Sequence, residues 1–317
     1  MTPAPHAAIS VRGLSKRYAD FSVGAQDVSF DIAAGTCAAL VGPAESGKST
    51  VLGILLGLLP PTTGSATLAG GRGGSALGAV LVPRGLHPSR TVRDHLRVYA
   101  AAAGVPDTRV AAVLETTGMV ERARTVPGAL TPGEQTRAAL ATALLADPPL
   151  LILDEPAGGM TPGELSWLQG YLRGHTRRGG TVLFSSQSLL TALPIADHLV
   201  VLKDGSVAFQ GSPARLRRRN PDRLLVASSS SIAVATALAA RGCTDAVIRP
   251  DDRLAVADAT EDDIVAAARA ADVRLDSIVA DPIHPDRVLA SLTHPVPPRP
   301  VTGAPQPPTS MPYGVPR

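Results

Sequence analysis

Two glycines, a lysine and three hydroxyl residues stand at fixed spacing in Gly42-Pro43-Ala44-Glu45-Ser46-Gly47-Lys48-Ser49-Thr50. The apolar run Cys37-Ala38-Ala39-Leu40-Val41 precedes them, and Val51-Leu52-Gly53-Ile54-Leu55-Leu56 follows. A buried strand, a glycine loop and a helix start are the context that a G-x4-G-K-[ST] loop requires. Gly42 and Gly47 let the backbone curl until successive N–H groups converge on one centre. Those amides and the positive end of the following helix suit a phosphate chain. Lys48 is spaced to reach the β and γ phosphates, and Ser49 to place a hydroxyl on Mg2+. The chain has only three lysines, Lys16, Lys48 and Lys203, so a chance glycine-rich turn is a poor account of the match.

A second group of chemistry-bearing residues closes Leu150-Leu151-Ile152-Leu153-Asp154-Glu155-Pro156, an apolar strand ending in two carboxylates. Asp154 is placed to hold Mg2+, and Glu155 to orient or deprotonate a water attacking the γ phosphate in line. The plain alternative is a strand end that happens to be acidic; the loop upstream argues against it. A strand feeding a phosphate loop and a second strand ending in Asp-Glu together indicate an α/β nucleotide-hydrolase core.

Those residues need a scaffold, and the composition limits what it is built from. The 317 residues suffice for one large domain and one small one. The chain is 44% hydrophobic but only 3% aromatic, so alanine, leucine and valine must fill the core. The net charge of +3 is mild, and the basic cluster Arg215 to Arg219 lacks interleaved aromatics. That cluster suits a helix end, and no nucleic-acid partner is expected. Cys37 and Cys243 lack metal-ligand spacing, which suggests a reducing compartment. The first residues do not read as a signal peptide, and no apolar run reaches membrane-span length, so a soluble protein is expected.

Along the chain, Ile9 to Ile32 reads as short strands with Tyr18 in the turn between them. Pro60-Pro61 is expected to end the helix after the phosphate loop. Short strands are expected at Ser65 to Leu68 and Ala79 to Val82. Helices are expected from Thr91, over Asp107 to Thr117, and over Gly133 to Leu145. Strands follow at Thr181 to Phe184 and His198 to Lys203, with a hairpin turn at Asp204-Gly205. Beyond Asn220-Pro221 the order strand, helix, strand, strand, helix, strand suggests a small ferredoxin-like α+β domain. Within it, Thr260 caps a helix running to Ala271, with Asp263 at the third position. The proline-rich stretch 294–317 reads as a disordered tail.

From about Ile9 to Arg215 the order of motifs resembles the ATP-binding subunit of ABC transporters. Leu130-Thr131-Pro132-Gly133-Glu134-Gln135-Thr136-Arg137 stands where that family has its signature, and Pro156 to Pro162 where its D-loop follows. Val182 to Gln187 matches the strand that ends in the family's switch histidine, and Leu202 to Pro213 its closing hairpin. The C-terminal part, with His284 to Thr293, looks like the tail of antibiotic and multidrug export ATPases. The resemblance implies a P-loop NTPase core with a β-subdomain and a helical insertion at about 91–146, together spanning 8–219, then the small domain at 222–293. It implies ATP and Mg2+ as ligands. Tyr18 would stack on adenine, Gly42 to Thr50 would hold the phosphates, and Thr131 and Gly133 would reach ATP on an opposite subunit. Ser49 and Asp154 would bind the metal. It further implies a separate membrane permease as partner, a homo- or heterodimer, and a place on the cytoplasmic face of the membrane.

The departures are as informative. The position aligned with the family's Mg2+-binding Gln or Glu is Val82, and neither residue type occurs between Ser46 and Leu114. The switch histidine is Gln187, which can donate a hydrogen bond but carries no proton or charge. Glu45 adds a negative charge to the loop, and Thr161 stands at the D-loop aspartate position. Pro132 removes an N–H from the signature, and Thr131-Pro132-Gly133-Glu134 reads equally as a phosphate grip and as a plain capping box. Two functions stay open. One is an ATPase subunit with Glu155 as base and slow turnover. The other is a degenerate nucleotide-binding module acting as a regulator or as half of a heterodimer.

Overall fold

Unbroken apolar runs, whose side chains point to opposite faces in turn, give each central strand two buried faces. The computed structural model describes residues 7–69, 77–281 and 284–293. In chain order the first elements are β1 (Ala7–Arg17), β2 (Val23–Ala33), β3 (Cys37–Val41), α1 (Lys48–Leu55), β4 (Thr63–Leu68) and β5 (Leu77–Val80). Then come α2 (Val92–Ala102), α3 (Thr108–Thr116), α4 (Pro132–Ala143), β6 (Leu150–Leu153), α5 (Pro162–Arg177) and β7 (Thr181–Ser186). They are followed by α6 (Leu189–Ala192), β8 (His198–Lys203), β9 (Ser206–Gly211) and α7 (Pro213–Arg219). The last part holds β10 (Arg223–Ser228), α8 (Ser231–Ala240), β11 (Ala246–Ile248), β12 (Leu254–Ala257), α9 (Glu261–Ala270), β13 (Leu275–Asp281) and α10 (Pro285–Thr293).

The main sheet has the order β5-β6-β7-β3-β8-β9, parallel except for the β8–β9 hairpin. Cys37, Ala39 and Val41 of β3 enter a core under α2 to α5, while Ala38 and Leu40 enter a second core with α1 and the three-stranded antiparallel sheet β2-β1-β4. β6, β7 and β8 divide their residues the same way. The mouth of this sheet, where β3, β6 and β7 end, is therefore a rigid edge from which loops project. The α/β core, the β-subdomain and the helical insertion are all present as expected.

α4 and α5 begin on the same four residues. In Thr131-Pro132-Gly133-Glu134 and again in Thr161-Pro162-Gly163-Glu164, the threonine caps the helix and the glutamate returns to the cap backbone. Proline at the first helical position costs no hydrogen bond there. α5 is a long helix that the sequence reading did not contain.

Among the boundaries that differ from expectation, two have a local cause. α1 stops at Leu55, well before Pro60-Pro61. Gly57 takes a left-handed conformation, its N–H bonds Ile54 O, and Leu58 N bonds Gly53 O, which closes the helix with a Schellman turn. β5 ends at Val80 and not at Val82, since Pro83 has no N–H to offer a ladder and the chain turns away.

The four-stranded C-terminal sheet has the order β11-β12-β10-β13, all antiparallel, with α8 and α9 packed on one face around Val226, Val234, Leu238, Leu254, Val256 and Ile264. That is the expected ferredoxin-like arrangement. α10 does not join this core: its Val288 and Leu289 are buried in the large cluster beside α6 and β8. The tail assigned to 294–317 lies outside the described residues. Among the described residues no helix is long and apolar enough to cross a membrane.

Candidate functional site

The loop from Gly42 to Thr50 leaves β3 and enters α1 at the mouth of the main sheet. Gly42 N bonds Ser186 O at the end of β7, and Gly205 N in the β8–β9 turn bonds Ser46 O. Gly47 has φ 97, and a Cβ there would meet the Gly24 carbonyl at 2.2 Å, so only glycine fits. A Cβ on Gly42 would collide with Leu202 O and Ser46 Oγ, both at 2.5 Å. Pro43, Ala44 and Glu45 form the exposed crest. A cavity of about 380 Å³ lies over the loop, lined by Glu45 to Thr50, Tyr18 and Ser22 to Gly24. Tyr18 is fixed there by a 2.9 Å hydrogen bond between its hydroxyl and Thr50 Oγ1.

Lys48 is buried, and its ammonium donates to Gly42 O at 2.8 Å and Pro43 O at 2.7 Å. Burial lowers its proton affinity, while Glu155 and Asp154 work in the opposite direction. Glu155 Oε1 stands 3.9 Å from Lys48 Nζ, an ion pair at its outer limit and not a hydrogen bond. That oxygen is buried and has no hydrogen-bond partner among the described residues. Burial pushes the Glu155 carboxyl up, opposed by Lys48, reinforced by Asp154 and opposed in turn by neighbouring Gln187. A buried carboxylate with one oxygen open suits a group that accepts a proton from water.

Asp154 ends β6 and is buried. Its Oδ1 accepts from Ser185 Oγ at 2.5 Å, and its Oδ2 from Ser49 Oγ at 3.1 Å. A hydroxyl and a carboxylate, both hard oxygen donors, thus converge at the start of α1, a donor set that fits Mg2+. Ser185 also accepts from Glu155 N at 2.8 Å, so one hydroxyl on β7 orients both acidic residues.

The fold brings together Tyr18, Gly42 to Thr50, Asp154, Glu155 and Gln187. It does not bring Thr131 or Gly133 to them. Thr131 Oγ1 accepts from Glu134 N at 3.2 Å, and Gly133 is packed so closely that a Cβ would meet the Glu164 carboxylate. Thr161 likewise spends its hydroxyl on Glu164 at 2.9 Å. Val82, aligned with a metal-binding position, is 58% exposed. The residue of that loop that reaches the site is Arg84. Its guanidinium donates to Asp154 O and Glu155 O, each at 2.8 Å. Sequence reading passed over Arg84 and Ser185. The only signal for either was position: two residues beyond Val82, and two before Gln187.

A glycine loop gripping the start of a helix, beside paired carboxylates on the next strand but one, defines a P-loop nucleotide-binding protein. Known proteins narrow the class. A family model described as ABC transporter matches residues 25–158. The Nod factor export ATP-binding protein I of Rhizobium johnstonii is 34% identical over 220 residues, covering 66% of this chain and 70% of its own. A phosphonates import ATP-binding protein of Haloquadratum walsbyi is 30% identical over 264 residues, covering 78% and 86%. A solved ATP-binding subunit of an ABC transporter superposes with TM-score 0.60 at 27% identity, covering 67% of this chain and 92% of its own. A dimeric ATP-binding cassette solved with ADP and phosphate shares the fold at TM-score 0.60 and 22% identity, covering 64% and 98%. The chain belongs to the ABC transporter family, as an ATP-binding subunit.

Proposed function

We propose that the chain is the ATPase subunit of an exporter, driving a separate membrane permease by binding and hydrolysing Mg-ATP. The observation that carries this is the open Glu155 oxygen beside buried Lys48, over a loop built to hold phosphates. In this reading the Gly42–Thr50 amides and Lys48 hold the triphosphate, and Tyr18 stacks on the adenine. Ser49 and Asp154 are the metal ligands. Mg2+ held by them would neutralise charge on the phosphate oxygens. Glu155 takes the proton from the attacking water, and Gln187 orients Glu155 and donates to the γ phosphate.

Thr131 and Gly133 are assigned to the nucleotide of a second subunit, homologous or identical. Their use in a capping box occupies a lone pair of the Thr131 hydroxyl and leaves its O–H and the helix-start amides for that role. The chain is read as an ATP-binding domain at 8–219 and a small domain at 222–293. It works at the cytoplasmic face of the membrane through its permease, against the loop and helix around 82–96. Export is favoured because the Nod factor relatives are exporters; the phosphonates relative is an importer, so transport in vesicles of known orientation decides direction.

The test is ATP hydrolysis by the purified chain with and without its permease. Glu155→Gln is expected to lower kcat at least 100-fold with nucleotide still bound, in line with the ~10²–10³ loss on removing one transition-state group. Lys48→Ala is expected to abolish binding of a fluorescent ATP analogue. Unchanged activity in Glu155→Gln overturns the assignment of the base. The second reading, a binding module with little turnover, is favoured by Gln187 and by the engagement of the Thr131 and Thr161 hydroxyls in their helix caps. It predicts tight nucleotide binding with no hydrolysis in any assembly.

A further inference from the structure

The carbonyl oxygens of Asp154 and Glu155 lie beyond the paired residues of β6, and something must satisfy them. The amides are accounted for: Asp154 N bonds Val80 O at 2.7 Å, and Glu155 N bonds Ser185 Oγ. Glu155 itself has φ 45, a left-handed conformation that a side chain with a Cβ rarely adopts without outside support. One guanidinium supplies that support. Arg84 Nη1 donates to Asp154 O and to Leu81 O, at 2.8 and 3.3 Å, and Nη2 donates to Glu155 O at 2.8 Å. Gly158 N, at 3.1 Å, is the other donor to Glu155 O. The fork is planar and rigid, so it fixes the two carbonyls relative to each other as a lysine ammonium cannot. Arg84 also belongs to an exposed loop that leads to α2, where His87 N approaches His95 Nδ1 at 3.5 Å.

We propose that Arg84 is a positioning residue that locks the Asp154–Glu155 turn in its left-handed form and ties it to the loop at 81–88. Through it, displacement of this loop moves the Glu155 carboxylate relative to Lys48. The site thus carries a cation in the loop where the family resemblance leads one to expect a neutral or acidic metal ligand. Arg84 does not touch the phosphate loop; its action is on the backbone that carries the base. The kinetic part of the inference rests on Glu155 being that base, while the structural part does not.

The test compares wild type, Arg84→Ala and Arg84→Lys by hydrogen–deuterium exchange of the full chain without nucleotide, and by ATP hydrolysis. In Arg84→Ala, peptides covering 81–88 and 153–158 are expected to exchange at least fivefold faster, with the 40–50 peptide unchanged. Hydrolysis is expected to show kcat reduced about tenfold or more with KM for ATP within twofold. Arg84→Lys, which keeps the charge but not the fork, is expected to fall between the two. Exchange unaltered at 153–158, or faster equally in every peptide, overturns the proposal. So does a kinetic loss that appears wholly in KM. Should wild type bind no ATP, the functional reading fails, and the exchange arm still decides for or against the clamp.

Discussion

Glu155 has three features that bear on catalysis: a left-handed backbone, a buried carboxylate with one open oxygen, and Gln187 as a neighbour that favours its charged form. Gln187 can hold Glu155 and present one N–H to a phosphate, but it cannot share a proton with either. Replacing it with histidine restores a group that does both. Gln187→His is therefore expected to raise kcat by roughly tenfold or more, since one transition-state donor is worth ~10²–10³. Steady-state hydrolysis at saturating ATP measures it. A rate unchanged by the substitution places the deficit elsewhere, with Thr131 and Thr161 the first suspects. Cys37 offers no competing chemistry, because burial pushes its thiol up to about 12.

At the scale of elements, the paired helix starts at Thr131 and Thr161 decide how much of the signature and D-loop is free for a nucleotide. They are packed together: a Cβ on Gly133 would meet the Glu164 carboxylate, one on Gly159 would meet Pro132, and Arg137 stacks over Trp167 at 4.7 Å. Each threonine hydroxyl satisfies an amide that α4 or α5 would otherwise leave unpaired. Thr161→Ala is expected to destabilise the chain by about 1 kcal/mol, the usual worth of a cap, with the affinity for ATP unchanged within twofold. Urea unfolding and nucleotide titration together check this. A loss of nucleotide affinity at constant stability would instead give Thr161 a direct part in the site.

At the scale of the whole molecule, the C-terminal sheet is fastened to the ATP-binding core by α10. Val288 and Leu289 lie in the large apolar cluster, Ser188 Oγ donates to Asp286 at 3.0 Å, and Arg249 and Arg287 both face Asp281. Ser188 follows Gln187 directly, so the last helix is anchored one residue from a neighbour of Glu155. Thr131 and Pro132 at the α4 start are exposed, and in the proposed function they meet the nucleotide of a second subunit. Slowing hydrolysis should trap an assembled state. Glu155→Gln with ATP and Mg2+ is expected to double in mass by light scattering, and Lys48→Ala to stay at the mass of one chain. A Glu155→Gln protein that remains monomeric with ATP bound would point to an obligate different partner.

The phosphate loop, the acidic strand end, the capping boxes at Thr131 and Thr260 and the strands were legible in the residues, because each is enforced by neighbours a few positions away. Gly42 and Gly47, for instance, announce a loop geometry that no other residue permits. The extent of α5 was not legible: its buried face is sparse, with only Leu168, Leu172 and His175 enclosed, and three glycines interrupt its pattern. Nor could spacing reveal that Arg84 meets residues 70 and 71 positions away, or that Ser185 would hold Asp154. Those contacts arise where parallel strands end side by side, and strand order is fixed by burying two faces of one sheet. Local sequence thus determined which groups could do the chemistry. Only tertiary packing decided which of them meet, because hydrogen-bond partners across a parallel sheet share no spacing along the chain.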